Sequence, residues 1–595
     1  MLTRRKGSSP FPRTKLSFTP DFAGLVCRTP NSVCMLDFNG SAMRAMSRRD
    51  FFRAGGAALA ALAVPSVLTG CGGVFGGSSD FTPDYTLNVA FTTLNLGGRR
   101  VKLRTYNGQI PGPTLVAAPG DTFNIRVQNN LPPNKPLPLS GGTTGGMGMS
   151  SRDHEFGESP IMQNTPHDFN TTNLHVHGLQ VATHLFRPFG TNDPTAPMLG
   201  IDPGDSYDYP FTIPTDQPCG MYFYHPHYHG STLLQVVNGM VGVIIVPGPI
   251  DQVPEIAAAR DLHVAITDLG LFPSMDDPTL WVNDPNPGTY FNSQTNQPLD
   301  GYGLGNYILH TYLVNGQPVF EVDATDPNQV QNRQLPIPDI NIQPGEVVRL
   351  RILNGTSDTF MPIAIEGHTV YVLAYDGVNL LEPLAIPYVA GQAQVELAPA
   401  NRVELLIRGS QAAGTFRLMQ LANTEQFAPV PAKDLARISV VGSPVTMGIP
   451  ATLPTPVREY PLPDHSEVSG TNNVLFSVIF PYPELPTGVG FTLNSQIYDE
   501  FRIDHVAQLG SVEEWTLLNN STEGHPFHVH VNSFELVSIN GVQQPRGILK
   551  DVQWVRPNQP VVIRMKFRQW TGKTVFHCHI LPHEDTGMMG NMLIQ

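Results

Sequence analysis

Gln343-Pro344-Gly345-Glu346-Val347-Val348-Arg349-Leu350-Arg351-Ile352-Leu353-Asn354 reads as a turn, a strand and a stop in succession. Pro-Gly closes a turn, and apolar and charged residues then alternate from Val348 to Ile352 with the period of two that a strand requires. Upstream stands Asn315-Gly316-Gln317, a dipeptide type that favours tight turns. The same theme occurs twice more. Asn107-Gly108-Gln109-Ile110-Pro111-Gly112-Pro113 leads to Ala118-Pro119-Gly120-Asp121, the alternating run Thr122-Phe123-Asn124-Ile125-Arg126-Val127 and Asn129-Asn130. Leu493-Asn494-Ser495-Gln496 leads to Leu509-Gly510-Ser511, the run Val512-Glu513-Glu514-Trp515-Thr516-Leu517-Leu518 and Asn519-Asn520. Three copies predict an all-β chain of three consecutive, homologous Greek-key β-sandwich units.

Punctuation sets the expected boundaries. The first unit takes residues 82–249 and closes at Pro247-Gly248-Pro249; the second takes 250–442; the third takes 443–595 and opens with a Pro-rich link. Within the first, residues 132–166 form a Gly/Pro-rich insertion carrying Met147, Met149 and Met162. A chain of 595 residues exceeds one core, and 55 Gly with 56 Pro against 14% charged residues suits short strands and many turns. The formal charge is −14; without residues 1–71, which hold ten Lys/Arg and three Asp/Glu, 26 basic and 47 acidic residues leave −21. No basic patch is available to match phosphates, so a nucleic-acid partner is excluded.

Residues 1–81 read as a leader. Ser47-Arg48-Arg49-Asp50-Phe51-Phe52-Arg53 resembles a twin-arginine export motif, with Met43 or Met46 as alternative starts just before it. The apolar run 54–68 has the length of a signal core and is too short for a mature membrane span. It ends in Leu68-Thr69-Gly70-Cys71, which resembles a bacterial lipobox, so Cys71 is the expected site of a lipid anchor and residues 72–80 a flexible tether. Export to the periplasm or cell surface follows, with ordinary cleavage nearby as the alternative. Cys27 and Cys34 also precede the folded part, and Cys219 reads as a small buried hydrophobe.

Histidines carry the chemistry. Four His-x-His pairs occur: His175/His177, His225/His227, His528/His530 and His577/His579. The last flanks Cys578, with His583 four residues after His579 and Met588 five further on; His525 precedes the third pair in His525-Pro526-Phe527-His528-Val529-His530. Two imidazoles, a thiolate and a weak axial thioether make a blue copper site, which His525, Cys578, His583 and Met588 would supply. In an extended segment neighbours point to opposite faces, so His577 and His579 face a second centre while Cys578 faces the first. His154, His167, His184, His263, His310, His368, His465 and His505 read as ordinary core or surface residues, and His229 stays unassigned.

These motifs resemble those of three-domain bacterial multicopper oxidases of the laccase type, from about residue 82 to the C-terminus, and the repeated unit resembles a cupredoxin. The resemblance implies four copper ions. His175 and His528 would hold the type 2 copper; His177, His225, His227, His530, His577 and His579 the type 3 pair. It also implies dioxygen as acceptor and two proton-relaying acids. Glu584 matches by register after His583, and Asp193 in Gly190-Thr191-Asn192-Asp193 follows the first pair through a loop of unusual length. The middle unit has no His-x-His pair and no Cys, and is expected to be a spacer setting the geometry of the others.

Three activities of different class fit. One is oxidation of phenols and aromatic amines, another oxidation of cuprous ion for copper tolerance, and the third non-enzymatic copper carriage. The sparse methionines weaken the second, and the complete ligand set argues against the third. Three repeats and the double flanking of Cys578 exclude a two-domain nitrite reductase.

Overall fold

A computed structural model describes residues 81–134, 159–274, 276–277, 279–283, 307–326, 329–485 and 488–595. The leader, with Arg48, Arg49 and Cys71, lies outside the described residues, as do Met147 and Met149 of the insertion. The chain is all-β, 48% strand and 5% helix, built from sheets packed as cupredoxin-like sandwiches.

Strands fall in three successive groups. In the first, Tyr85–Leu96, Arg99–Tyr106, Thr122–Asn129 and Ser206–Thr212 form one layer, and Gly112–Val116, Gly242–Val246, Gly220–His225 and His175–His177 the other. The middle group sets Val347–Asn354 between Arg260–Pro273 and Arg402–Arg408, opposite a five-stranded sheet that includes Met361–Ile365 and Gly414–Gln420. In the last, a seven-stranded sheet around Val512–Asn519 faces a five-stranded sheet in the order Ile503–Ala507, Met589–Ile594, Gly572–Cys578, His525–Val529, Val552–Val555.

The repeat is visible in hydrogen bonds as well as in sequence. Asn107, Asn315 and Asn494 all adopt left-handed backbone, at φ of 53°, 49° and 52°, which a short amide side chain tolerates. Each closes the same corner: Oδ1 accepts from the backbone N–H of Asn88 (2.6 Å), Ala265 (2.8 Å) or Leu475 (2.8 Å). The three strand-ending asparagines match likewise. Asn129, Asn354 and Asn519 each donate Nδ2–H to two buried carbonyls, those of Asn170 and Ile201, Thr359 and Leu397, and Glu523 and Val555.

Two features go beyond the turn punctuation. The short strand Leu280–Val282 pairs with both Arg99–Tyr106 and Arg260–Pro273, so the first and middle groups share one continuous sheet. The first core, around Ile125, Tyr209 and Ile244, likewise continues into Val347, Leu373 and Leu406. Arg349 and Arg351, charged positions of the alternating strand, are not solvated: each is 2% exposed and pairs with Asp251 and the buried Glu404. Cys219 packs as a buried free thiol in the first core.

The end of the chain is clamped by both other groups. Helix Leu581–Glu584 is anchored by one hydrogen bond from Leu581 N–H to the Ser357 carbonyl (2.9 Å) of the middle group. Asp585, just beyond it, accepts from Gly230 and Leu233 N–H (2.8 Å each) at the start of helix Thr232–Val236 of the first. His583 is therefore fixed by three groups of strands.

Candidate metal centres

Strand register brings the spaced pairs together. His175 lies opposite His225 in one sheet and His528 opposite His577 in another. The two sheets then interleave their rings: His175 stacks on His530 and His177 on His528, each at 3.9 Å between centroids. All eight imidazoles of the four pairs are buried, at 3% exposure or less. Because alternate strand residues face opposite ways, the intervening Cys578 leaves this cluster and meets His525 and His583 instead, its Sγ lying 3.6 and 3.9 Å from their Nδ1 atoms.

Second partners decide which nitrogen of each ring is bare. His225 Nδ1 bonds the Pro226 carbonyl (2.8 Å), and His528 Nδ1 the Asp551 carbonyl (2.8 Å). His177 Nε2 bonds Asp551 Oδ1 (3.1 Å). Carbonyl and carboxylate oxygens only accept, so those nitrogens carry the protons and the opposite ones are lone pairs. His175 is held differently. His184 donates Nδ1–H to the Ala182 carbonyl (3.0 Å), leaving its Nε2 to accept from His175 Nδ1 at 3.0 Å. The freed atoms, His175 Nε2, His177 Nδ1, His225 Nε2 and His528 Nε2, have no protein partner, nor has either nitrogen of His579.

The remaining three rings make the test of fit sharper. His577 Nδ1 bonds the Cys578 carbonyl (2.9 Å), so its Nε2 is a lone pair, and His227 and His530 bring their Nε2 atoms to 3.1 and 3.2 Å from it. Three Nε2 atoms turned to one point suit a shared cation, and the buried imidazole nitrogens without any partner are costly unless a cation joins them. Burial also keeps the rings neutral. It pushes His225 and His525 down to about 3, and His175, His177, His227, His528, His530, His579 and His583 well below the usual imidazole range, with neighbouring imidazoles adding to the effect at most of them. Imidazole clusters suit copper, and the His525–Cys578–His583 group, with its thiolate, suits a blue copper ion. The residues present fit the metal at both places.

Around Cys578 the sulfur accepts from Ile580 N–H at 3.5 Å, and burial raises its thiol well above the usual value, a trend that a coordinated metal reverses. Phe491 stacks on His583 (4.1 Å) and Phe476 on His525 (5.5 Å). Met588 is fully buried, donates its N–H to the His583 carbonyl (2.9 Å) and accepts from Cys578 N–H (3.0 Å), so it closes the turn that carries the other groups. Glu523 Oε1 stands 3.6 Å from His583 Nε2, and His583 is 7% exposed.

Of the two expected acids, Glu584 is in place. It has no exposure, and its oxygens lie 3.4 Å from His227 Nδ1 and 3.1 Å from His577 Nδ1 without hydrogen-bond alignment. Asp193 is not. Its carboxylate sits exposed in a surface loop and accepts from Thr195 N–H (2.9 Å) and Oγ1 (2.7 Å), the bonds that hold it below the usual carboxylate range. Counting along a loop of unusual length misplaces it. The acid that does reach the cluster from outside the motifs is Asp551, 26 residues before His577, whose carboxyl burial pushes up to about 7 against the downward pull of Arg402. His184, which reads from sequence as an ordinary core residue, is the other omission.

His184→Leu keeps the volume and removes the acceptor for His175. Copper bound at the histidine cluster should be held about ten- to a hundredfold more weakly, as measured by competition with a chelator. Retention equal to the parent would contradict the role given to His184.

Comparison with known proteins agrees with this geometry. Multicopper oxidase domains match residues 88–147 with 161–250, 287–434 and 466–595. Multicopper oxidase mco of Staphylococcus haemolyticus is 25% identical, over 82% of this chain and 83% of its own. A laccase of Haloferax volcanii is 26% identical, over 81% of this chain and 76% of its own. The fold is that of the Campylobacter jejuni multicopper oxidase described as a metallo-oxidase, with a TM-score of 0.60 at 24% identity over 87% of this chain and 92% of the other. The chain belongs to the multicopper oxidases, copper-dependent oxidoreductases that pass electrons to dioxygen.

Proposed function

We propose that the chain binds four coppers and oxidises electron-rich phenols and aromatic amines one electron at a time, in the manner of a laccase. The observation that carries this reading is the pair of buried donor sets on opposite faces of one strand end: His525, Cys578 and His583 on one, and the bare imidazole nitrogens of the His-x-His cluster on the other. His525, Cys578, His583 and Met588 would hold the type 1 copper, His175 and His528 the type 2, and His177, His225, His227, His530, His577 and His579 the type 3 pair. Bound copper would supply one-electron exchange at the first site and four-electron reduction of dioxygen to two waters at the second.

The residues do the rest. Cys578 is joined through two peptide bonds to His577 and His579, so the backbone itself spans the two sites. Burial excludes water from the cluster and keeps its imidazoles neutral ligands that cannot spare a proton. Glu584, between His227 and His577, is the carboxyl placed to hold one. His583, at the thin cover of the Cys578 site, offers the edge toward a reductant. A mature charge of −21 modestly favours cationic or neutral reductants over anionic ones.

Cuprous ion is the second reading, supported by the metallo-oxidase description of the Campylobacter jejuni protein. Steady-state rates of the copper-loaded enzyme separate the two. Higher kcat/KM with an easily oxidised phenol than with cuprous ion is expected, because the sequence carries only sparse methionines; Met588 as a ligand would set a low to intermediate potential, so resistant phenols should not react. The reverse order would transfer the function to copper tolerance.

Glu584→Gln keeps shape but has no acidic proton. It should retain copper and colour while dioxygen uptake slows by about a hundred- to ten-thousandfold. Unchanged uptake across pH would mean that protons reach the cluster by another route.

Export by the twin-arginine route, with Cys71 as lipid anchor, completes the proposal. Replacing Arg48 and Arg49 by Lys should leave precursor in the cytoplasm on cell fractionation. Normal export of that variant would remove the assignment.

A further inference from the structure

The middle group contributes no ligand, yet one of its side chains lies against the cluster. Arg402, the first residue of the strand Arg402–Arg408, has no exposure and uses all five of its N–H groups. Nε donates to the Met221 carbonyl of the first group (3.4 Å). Nη1 donates to the Ala400 carbonyl (3.0 Å) and Asp551 Oδ1 (2.7 Å); Nη2 donates to the Asp376 carbonyl (2.9 Å) and Asp551 Oδ2 (2.6 Å). A single guanidinium thus touches all three groups of strands, and its two-pronged grip fixes the plane of the Asp551 carboxylate.

Asp551 in turn orients one histidine from each side of the cluster. Its Oδ1 accepts from His177 Nε2–H (3.1 Å), which turns the Nδ1 of that ring inward. Its main-chain carbonyl accepts from His528 Nδ1–H (2.8 Å), which turns the Nε2 of that ring inward. The main chain of Asp551 is itself held, because Asp376 Oδ2 accepts from the N–H groups of Asp551 (3.2 Å) and Val552 (3.3 Å) while Asp376 Oδ1 accepts from Arg402 N–H (2.8 Å). Close packing completes the frame. A Cβ on Gly178, next to His177 and at φ +84°, would lie 2.5 Å from Asp551 Oδ2 and collide with the Arg402 guanidinium. The glycine that follows the first His-x-His pair therefore leaves room for this ion pair.

We propose that Arg402 is a positioning residue for the histidine cluster: through Asp551 it fixes which nitrogens His177 and His528 present to the metal. The assignment rests on the copper reading given above. Stability alone does not account for the pair, because apolar replacement of a buried ion pair is commonly neutral or stabilising. Lysine could not substitute, since a point charge can neither bridge both Asp551 oxygens nor reach the Ala400 and Asp376 carbonyls at the same time.

The test uses two variants, Arg402→Lys and the apolar double variant Arg402→Met with Asp551→Leu, each loaded with copper beside the parent. Arg402→Lys should keep the absorption of the Cys578 site and the KM for a phenol. Its remaining copper should be held about ten- to a hundredfold more weakly, with an altered electron paramagnetic resonance signal and a matching fall in kcat. The double variant should fold, keep its colour and show the same selective defect. A folded variant of either kind with parental copper affinity and an unaltered signal overturns the positioning role alone. So does an Arg402→Lys chain that fails to fold while the double variant folds with an intact cluster, because the pair would then serve folding only. Parent protein that takes up no copper overturns the copper reading together with this one.

Discussion

Everything in this molecule answers to one constraint: buried imidazole lone pairs face one another across a seam between the first and last groups of strands. Nitrogens of His227, His530 and His577 converge at 3.1 and 3.2 Å, and those of His175, His177, His225, His528 and His579 that face the seam are buried with no protein partner. Such an arrangement costs on the order of 1–3 kcal/mol for each unsatisfied buried polar atom, and is tolerable only where metal binding repays it. It also demands rigidity, because a ring rotated by a flexible neighbour would exchange its donor for its acceptor. That is why carbonyls of Pro226, Asp551 and Cys578, the imidazole of His184 and the carboxylate of Asp551 each lock one ring.

From that constraint the architecture becomes intelligible. Neither half of the cluster can form alone, so the two outer groups must be held in fixed relation. A shared sheet ties the first group to the middle one through Leu280–Val282, and Arg402, Asp376 and Ser357 tie the middle one to the last. The helix Leu581–Glu584 gathers the consequences in four residues: its first residue is anchored to Ser357, its third is His583, and its last, Glu584, reaches back to the cluster.

Much of this is legible in the amino-acid sequence. The repeat betrays three sandwiches because a left-handed asparagine corner and an asparagine stop are local devices that recur at fixed offsets from a strand. The His-x-His pairs and the Cys578 motif are legible because alternation along a strand converts spacing directly into facing. Inference by distance along a loop fails. Asp193 is expected at the cluster and lies in solvent, whereas Asp551, Arg402 and His184 arrive from strands or loops whose local sequence carries no periodic mark. Residues that act by supporting a ligand need only the right end point in space, and no spacing rule records it. Arg349 and Arg351 give the same lesson from the other side, since their alternation marks a strand correctly but not the buried Glu404 that both face.

The most direct measurement of the central claim is anomalous X-ray diffraction at the copper absorption edge from copper-loaded crystals. The account predicts four peaks: one among Cys578, His525 and His583, and three within the seam lined by the four His-x-His pairs. A seam without anomalous density in crystals that show copper at Cys578, or copper at neither place in fully loaded protein, would contradict it.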